Sequence, residues 1–497
     1  MCQVEEEYHG PLLREELPSV SRQCVKCKEA SAAVVIRAGD AYCRGCFKEY
    51  FIHKFRAMLG KNRLIFPGEK VLLAVSGGPS SCSMLSQVQE GLSQNAHKKL
   101  RFLPGIVYID EGGAVGQSVE HRRRTVEELR AVFRATGFPF LMVPLEQVLD
   151  LPSSVVLSAP GAPEQEAGAY KAAVDHFLLS DGSSGVTAGQ QQETPPPEVQ
   201  EAHTHSLQRL LGSARTLTAR EELLNILRQH LLVHTARSAG YSKLMLGDSC
   251  TRLAVKLLSS ISLGRGAQLA HDTGFSDSRY GDTILVRPMR DYSAKEIAYY
   301  NRMFSVPSVF TAGLDTKTAD KSSIQHLTES FVIKLQADFP STVSTIYRTS
   351  EKLQSCKGSA SAEGDRCLLC VCALDTAAEN ASAFSATLIS EQLSQTKSPG
   401  ESRQAPEWTA PASQCCSIVG GELCGNRGGG CCSSAKASES PPLRSLLCYS
   451  CQLTIKDMSS EEVLPQYILS EAERRLRRSQ LREEIRDFLL EDEADEG

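Results

Sequence analysis

Four cysteines constrain this chain more than any other feature. Cys24-x-x-Cys27 and Cys43-x-x-Cys46 are two knuckles with fifteen residues between them. Two such pairs joined by a short hairpin supply the four thiolates that a tetrahedral zinc ion requires. Ala33 to Ile36 and Ala41-Tyr42 fit the two strands of that hairpin. Four protein ligands leave no open coordination position, so the expected zinc is a staple and not a catalyst.

A second set, Cys367-x-x-Cys370 and Cys448-x-x-Cys451, has the same internal spacing but a long separation filled by low-complexity sequence. Loop closure costs rise slowly with length, so one ion could join these knuckles; accidental pairing is the alternative. Cys356, Cys372, Cys415, Cys416, Cys424, Cys431 and Cys432 are extra, as alternative ligands or as surface thiols. Met1 to Gly10 carry Glu5, Glu6 and Glu7 and no apolar run, which reads as no signal peptide. The eighteen cysteines are then expected to be reduced, in the cytosol. No run of about 18 uncharged apolar residues predicts a membrane span.

A chain of 497 residues exceeds one compact core. Residues 1–60 form the expected N-terminal knuckle domain, and 61–310 an α/β domain. Within the latter, Val71 to Val75 is a continuous apolar run, as for a strand buried on both faces. Further strands are predicted at Gly105 to Ile109, Phe138 to Pro144, Tyr241 to Leu246 and Thr283 to Arg287, with helices between them. Such alternation implies a doubly wound parallel sheet. Ser293 with Glu296 predicts a capping box on the helix from Ala294 to Tyr300. Residues 152–212 read as a disordered insertion, centred on the Gly-, Ser-, Gln- and Pro-rich Gly182 to Pro197. Beyond lie a helical segment with the third knuckle (311–374), a low-complexity insertion (375–445), and the last knuckle with a charged helical tail (446–497).

After the Val71 to Val75 strand stands Ser76-Gly77-Gly78-Pro79-Ser80-Ser81, before a helix. Glycines there let backbone N–H groups approach a phosphate at a helix N-terminus; a turn without ligand is the bland alternative. This loop resembles the S-G-G-x-D-S loop of PP-loop ATP pyrophosphatases (adenine nucleotide α-hydrolase-like). The flanking knuckles and Leu285 to Arg290 with Lys295-Glu296-Ile297 resemble the tRNA-thiolating branch of that family. The resemblance implies a nucleotide site at Ser76, Gly77, Gly78, Ser80, Ser81 and Asp110, with zinc-ribbon elements at both ends. It also implies work as one of a pair with a catalytic paralogue. That pair adenylates the wobble uridine of lysine, glutamine and glutamate tRNAs with ATP. It then installs at C2 a sulfur delivered by a thiocarboxylated ubiquitin-related modifier.

The departures from the family pattern point to a non-catalytic subunit. The loop's acidic position is Ser80, and Pro79 removes a backbone donor. The family's G-H-N-x-D-D stretch reads Gly247-Asp248-Ser249-Cys250-Thr251-Arg252. No cysteine lies between Cys82 and Cys250, and Cys250 alone cannot hold an iron–sulfur cluster. Cys250 is a weak candidate nucleophile; a buried structural thiol is the other reading. Weak ATP and Mg²⁺ binding through the loop backbone is the expectation.

The net charge of −5 leaves any RNA contact to a local basic patch. Arg122, Arg123 and Arg124 are candidates, against the reading of a solvated helix face, with Lys98, Lys99 and Arg101 nearby in sequence. Arg287 and Arg290 flank the end of a strand, where ligands bind in such sheets. His230 and His234 have zinc-ligand spacing but no third ligand, and read as a packed pair. Two other functions remain: a self-sufficient tRNA sulfurtransferase, and a zinc-ribbon adaptor without RNA.

Overall fold

The computed structural model describes residues 22–36, 39–96, 99–157, 170–174, 200–314, 322–339, 341–350, 352, 366–374 and 442–485. Gly182 to Pro197, nearly all of the 375–445 insertion and the acidic run from Glu491 to Glu496 lie outside these residues.

A two-stranded antiparallel hairpin, β1 (Val34–Val35) and β2 (Ala41–Tyr42), opens the fold and leads into α1 (Arg44–Asn62). Then come β3 (Lys70–Ala74), α2 (Pro79–Leu92), β4 (Leu103–Asp110), α3 (Val119–Arg134) and β5 (Phe140–Pro144). After α4 (Glu201–Ser213) and α5 (Leu217–Ser238), the sheet resumes with β6 (Lys243–Leu246). Next are α6 (Cys250–Ser262), α7 (Leu269–Thr273), β7 (Ser276–Asp277), β8 (Ile284–Val286) and α8 (Ala294–Phe304). Helices α9 (Ile324–Asp338), α10 (Thr342–Ser350), α11 (Tyr449–Lys456) and α12 (Gln466–Glu484) follow. Among the described residues no helix is long and apolar enough to cross a membrane.

The six strands run in the order β5-β4-β3-β6-β8-β7, all parallel except β7, an edge strand absent from the sequence reading. Strand order reverses between β3 and β6, so a crevice opens beyond their carboxyl ends. Period-two alternation divides the core. Leu72, Val107 and Leu244 face one layer, built by α4, α5, α11 and α12. Val71, Leu73, Ile106 and Met245 face the other, which holds Phe47, Phe51 and Phe55 of α1. Both faces of the sheet are covered, as a doubly wound fold requires.

The expected insertion at 152–212 is ordered at both ends. Ser153–Val155 forms a helical turn, and α4 buries Leu207, Leu210 and Leu211 against the sheet. Their i, i+3, i+4 spacing is the helical signal that the polar neighbours masked.

Helix α1 ties the N-terminal hairpin to the sheet domain. The Phe51 ring stacks on Tyr300 with centroids 3.9 Å apart, and the Tyr292 hydroxyl donates to Phe51 O at 2.5 Å. Lys54 Nζ lies 2.7 Å from Glu296 Oε1, and Tyr50 donates to the same oxygen at 2.9 Å. Glu296 closes the capping box of α8 by accepting from Ser293 N at 2.7 Å. Burial opposes ionisation of Glu296, but the Lys54 ammonium and the Ser293 donors outweigh it and hold this carboxyl below its ordinary range. A carboxyl depressed in the fold stabilises fully above its unfolded pKa, and that stability is lost as pH falls through the folded value. Glu296→Gln is therefore expected to cost about 2 kcal/mol at pH 7, through the weakened cap and the orphaned Lys54. In urea unfolding that gap begins to narrow as pH falls through about 4.3, where the unfolded glutamate takes up a proton, and closes as pH falls through the lower folded value. An equal gap at pH 7 and at low pH would contradict the role given to the charge.

Candidate functional site

Two cysteine quartets and one crevice make up the site. The sulfurs of Cys24, Cys27, Cys43 and Cys46 lie within 4.8 Å of one another, as do those of Cys367, Cys370, Cys448 and Cys451. The two quartets share a plan. In each, a tight turn supplies the first pair. Lys28 N donates to Cys24 O at 2.8 Å, and Val371 N to Cys367 O at 3.0 Å. The residue after each first pair sits in the left-handed region, Lys28 with φ 60° and Val371 with φ 58°. In each, the second pair begins a helix: Cys43 caps α1 and Cys448 caps α11. Cys46 and Cys451 follow in the first turns of those helices.

A tetrahedral ion with sulfur bonds of about 2.3 Å sets its ligand sulfurs roughly 3.8 Å apart. Cys27 and Cys43 are 3.9 Å apart, and Cys370 and Cys448 3.5 Å. Each quartet therefore fits a single ion. Backbone donors at Cys27 and Cys43 lower the Cys24 thiol to about 6, so one ligand is already poised as thiolate.

The C-terminal quartet is embedded in the core. His230 clamps it: Nε2 bonds Leu369 O and Nδ1 bonds the Tyr467 hydroxyl, both at 2.7 Å. Burial lowers His230 to about 4, so the ring is neutral. His234 turns instead to Ser238 Oγ at 3.3 Å. Beside the quartet, Arg279 Nη1 lies 2.7 Å from Cys372 Sγ, and Nη2 lies 2.6 Å from both Asp272 and Asp277. Arg287 links Asp277 at 3.9 Å to Asp248 at 3.3 Å. A buried chain of charges thus runs from the quartet to Asp248 at the crevice.

The crevice has a volume of about 430 Å³ and lies beyond the ends of β3, β4 and β6. Ser76, Gly78, Ser80 and Ser81 line it. Gly77 has φ +84°, and a Cβ there would meet Val309 O and Leu129 Cδ2 at 3.0 Å, so the turn requires glycine. Gly78 caps α2 and Pro79 takes the first helical position. Ser80 Oγ donates to Gly247 O across the strand switch, which spends the hydroxyl on joining the two loops. Ser81 Oγ donates to Gly78 O at 3.1 Å and lies 3.2 Å from Ser76 Oγ.

Asp110 does not line the crevice. Its Oδ1 accepts Gly112 N at 2.9 Å and its Oδ2 accepts Arg122 Nε at 2.8 Å. Arg122, expected as a phosphate contact, is 3% exposed and also grips Glu146 with two bonds of 2.6 and 3.0 Å. Arg287 and Arg290, expected likewise, are 1% and 7% exposed. Arg287 donates to the His271 and Gly274 carbonyls, and Arg290 to Thr273 O. The reading of these three as RNA contacts is corrected: their charge is spent on internal carboxylates and carbonyls. Arg123 and Arg124 stay at the surface, each bonded to Glu120.

Cys82 and Cys250 also stand outside the crevice lining. Burial pushes the Cys82 thiol up to about 11 and the Cys250 thiol up to about 12, and Cys82 Sγ is bonded to Gly77 O. Neither is a thiolate near neutral pH. Sequence reasoning missed the pair Glu111 and Arg228, which meet across the crevice mouth. Glu111 could have been found, since it follows the end of β4. Arg228 lies 117 positions away on a helix, with no local signal.

The family model described as cytoplasmic tRNA 2-thiolation protein 2 matches residues 323–453. Cytoplasmic tRNA 2-thiolation protein 2 of Danio rerio is 57% identical over the whole length of both chains. The Homo sapiens protein of that name is 52% identical, covering 100% of this chain and 99% of its own. Among solved structures, U34-tRNA thiolase NcsA from Methanococcus maripaludis with its 4Fe–4S cluster aligns with a TM-score of 0.44 at 14% identity. The alignment covers 66% of this chain and 86% of that one. At this degree of likeness to its full-length relatives, the chain belongs to the cytoplasmic tRNA 2-thiolation protein 2 family.

Proposed function

We propose that this chain is a non-catalytic subunit of the cytosolic machinery that 2-thiolates the wobble uridine of lysine, glutamine and glutamate tRNAs. Its partner is a catalytic PP-loop paralogue, and the sulfur comes from a thiocarboxylated ubiquitin-related modifier. Family membership supports the pathway. One observation carries the division of labour: among the described residues, the lining of the crevice contains no thiol. Sulfur transfer at a PP-loop needs a thiolate or an iron–sulfur cluster beside the adenylated base. Here the two nearby thiols are buried and protonated, and the other eight grouped cysteines are closed into quartets.

The nucleotide reading weakens on the same grounds. Phosphoryl and adenylyl chemistry depends on positioned metal and charge. Ser80 replaces a carboxylate and is tied to Gly247 O. Asp110 is paired inward, and Glu111 faces Arg228. Any ATP held here rests on the Ser76 to Gly78 backbone. Zinc is the metal that the quartets fit best, since four thiolates around one ion satisfy its tetrahedral preference and leave no open position.

In cells lacking the native gene, a chain with Cys82→Ala and Cys250→Ala restores wobble-uridine 2-thiolation to within about two-fold of wild type, read by mass spectrometry of tRNA nucleosides. Cys24→Ser or Cys367→Ser lowers the protein level and the thiolation together, because a three-thiolate site loses much of the folding energy that metal supplies. Loss of thiolation by the double alanine variant at normal protein level would assign a sulfur-handling role to those thiols. Elemental analysis of the purified chain is expected to give two zinc ions per polypeptide. Iron with acid-labile sulfide in its place would overturn the metal assignment.

A further inference from the structure

With Arg122, Arg287 and Arg290 committed inside, the cations free for a polyanion must lie elsewhere. A groove of about 1420 Å³ opens between α1 and the segment leading into β4, at the end of the sheet opposite the crevice. Lys26, Arg56, Lys99 and Arg101 line it against two carboxylates, Glu49 and Glu90. Both carboxylates already hold lysines: Glu49 pairs with Lys26 at 2.6 Å and Glu90 with Lys48 at 3.3 Å. Lys99 and Arg101 are exposed and have no carboxylate partner among the described residues. The crevice is the reverse case, with Glu111, Glu221 and Asp248 against Arg228 and Arg252. On a chain of net charge −5, the groove is a local positive well.

We propose that this groove binds the phosphate backbone of a folded RNA, with Lys99 and Arg101 as its principal contacts. The proposal rests on the tRNA-thiolation reading above and places the RNA on this chain. The geometry favours RNA over a small anion. The groove spreads Lys26, Arg56, Lys99 and Arg101 around a volume of about 1420 Å³, far more than a small anion fills. The groove wall also carries Phe66 and Tyr170, rings 5.5 Å apart, and Arg63 stands 6.0 Å over Tyr170. Such surfaces accept unpaired bases without sequence preference.

The test is binding of an unmodified lysine tRNA transcript to the full-length chain, with any partner that co-purifies, over a range of salt. Each phosphate contact contributes about 0.7 to 0.9 to the slope of log affinity against log salt. Lys99→Ala with Arg101→Ala is therefore expected to reduce that slope by about 1.5 and to weaken binding about ten-fold. Because both side chains are exposed, the fold survives, and unchanged urea unfolding checks this. Lys99→Glu with Arg101→Glu weakens binding further. An unchanged slope in the double variants, with tRNA still bound by wild type, overturns the groove but leaves the thiolation reading standing. Failure of the wild-type preparation to bind tRNA at any salt overturns both. Loss of a co-purifying protein with tRNA binding intact would give the groove to an acidic protein segment and also overturns the proposal.

Discussion

The fold depends on gathering four cysteine sulfurs between a tight turn and a helix N-terminus, twice. Each quartet joins a turn to a helix, and the turn places one residue in the left-handed region, Lys28 or Val371. Neither is glycine, so each turn carries backbone strain of order 1–2 kcal/mol that a bound ion can offset. The N-terminal quartet fixes the start of α1, which then lays Phe47, Phe51 and Phe55 under the sheet. The C-terminal quartet fixes the start of α11 and, through His230, Tyr467 and Leu369, docks α12 on the opposite face. The sheet is thus clamped between two elements that each gather four cysteine sulfurs able to hold one ion.

The crevice between them is organised as structure. Ser80 and Ser81 bond to backbone carbonyls, Glu111 pairs with Arg228, and Asp248 lies near Arg252. The chain of charges through Arg279, Asp277 and Arg287 to Asp248 joins the crevice to Cys372 beside the C-terminal quartet. Breaking one of the pairs within that chain would leave a buried charge uncompensated.

Much of this was legible in the sequence. Continuous apolar runs marked the central strands, Ser293 and Glu296 marked a cap, and the C-x-x-C spacing marked both quartets. What failed was the reading of arginines. Arg122, Arg287 and Arg290 stand in positions suited to ligand contact, yet their carboxylate and carbonyl partners come from elsewhere in the chain: Glu146, Asp248, Asp277 and Thr273. A single sequence carries no signal for such long-range pairing. Helix α4 was missed because its three leucines stand among polar residues next to low-complexity sequence. The strand β7 is two residues long, too short to show alternation.

The central claim is that this frame contributes architecture and not sulfur chemistry. It is tested most directly by supplying the purified chain, free of any paralogue, with ATP, Mg²⁺, a thiocarboxylated donor and unmodified tRNA, and measuring 2-thiouridine. The account predicts no product above background from the chain alone, and product on addition of the catalytic paralogue. Multiple turnovers by the isolated chain would contradict it.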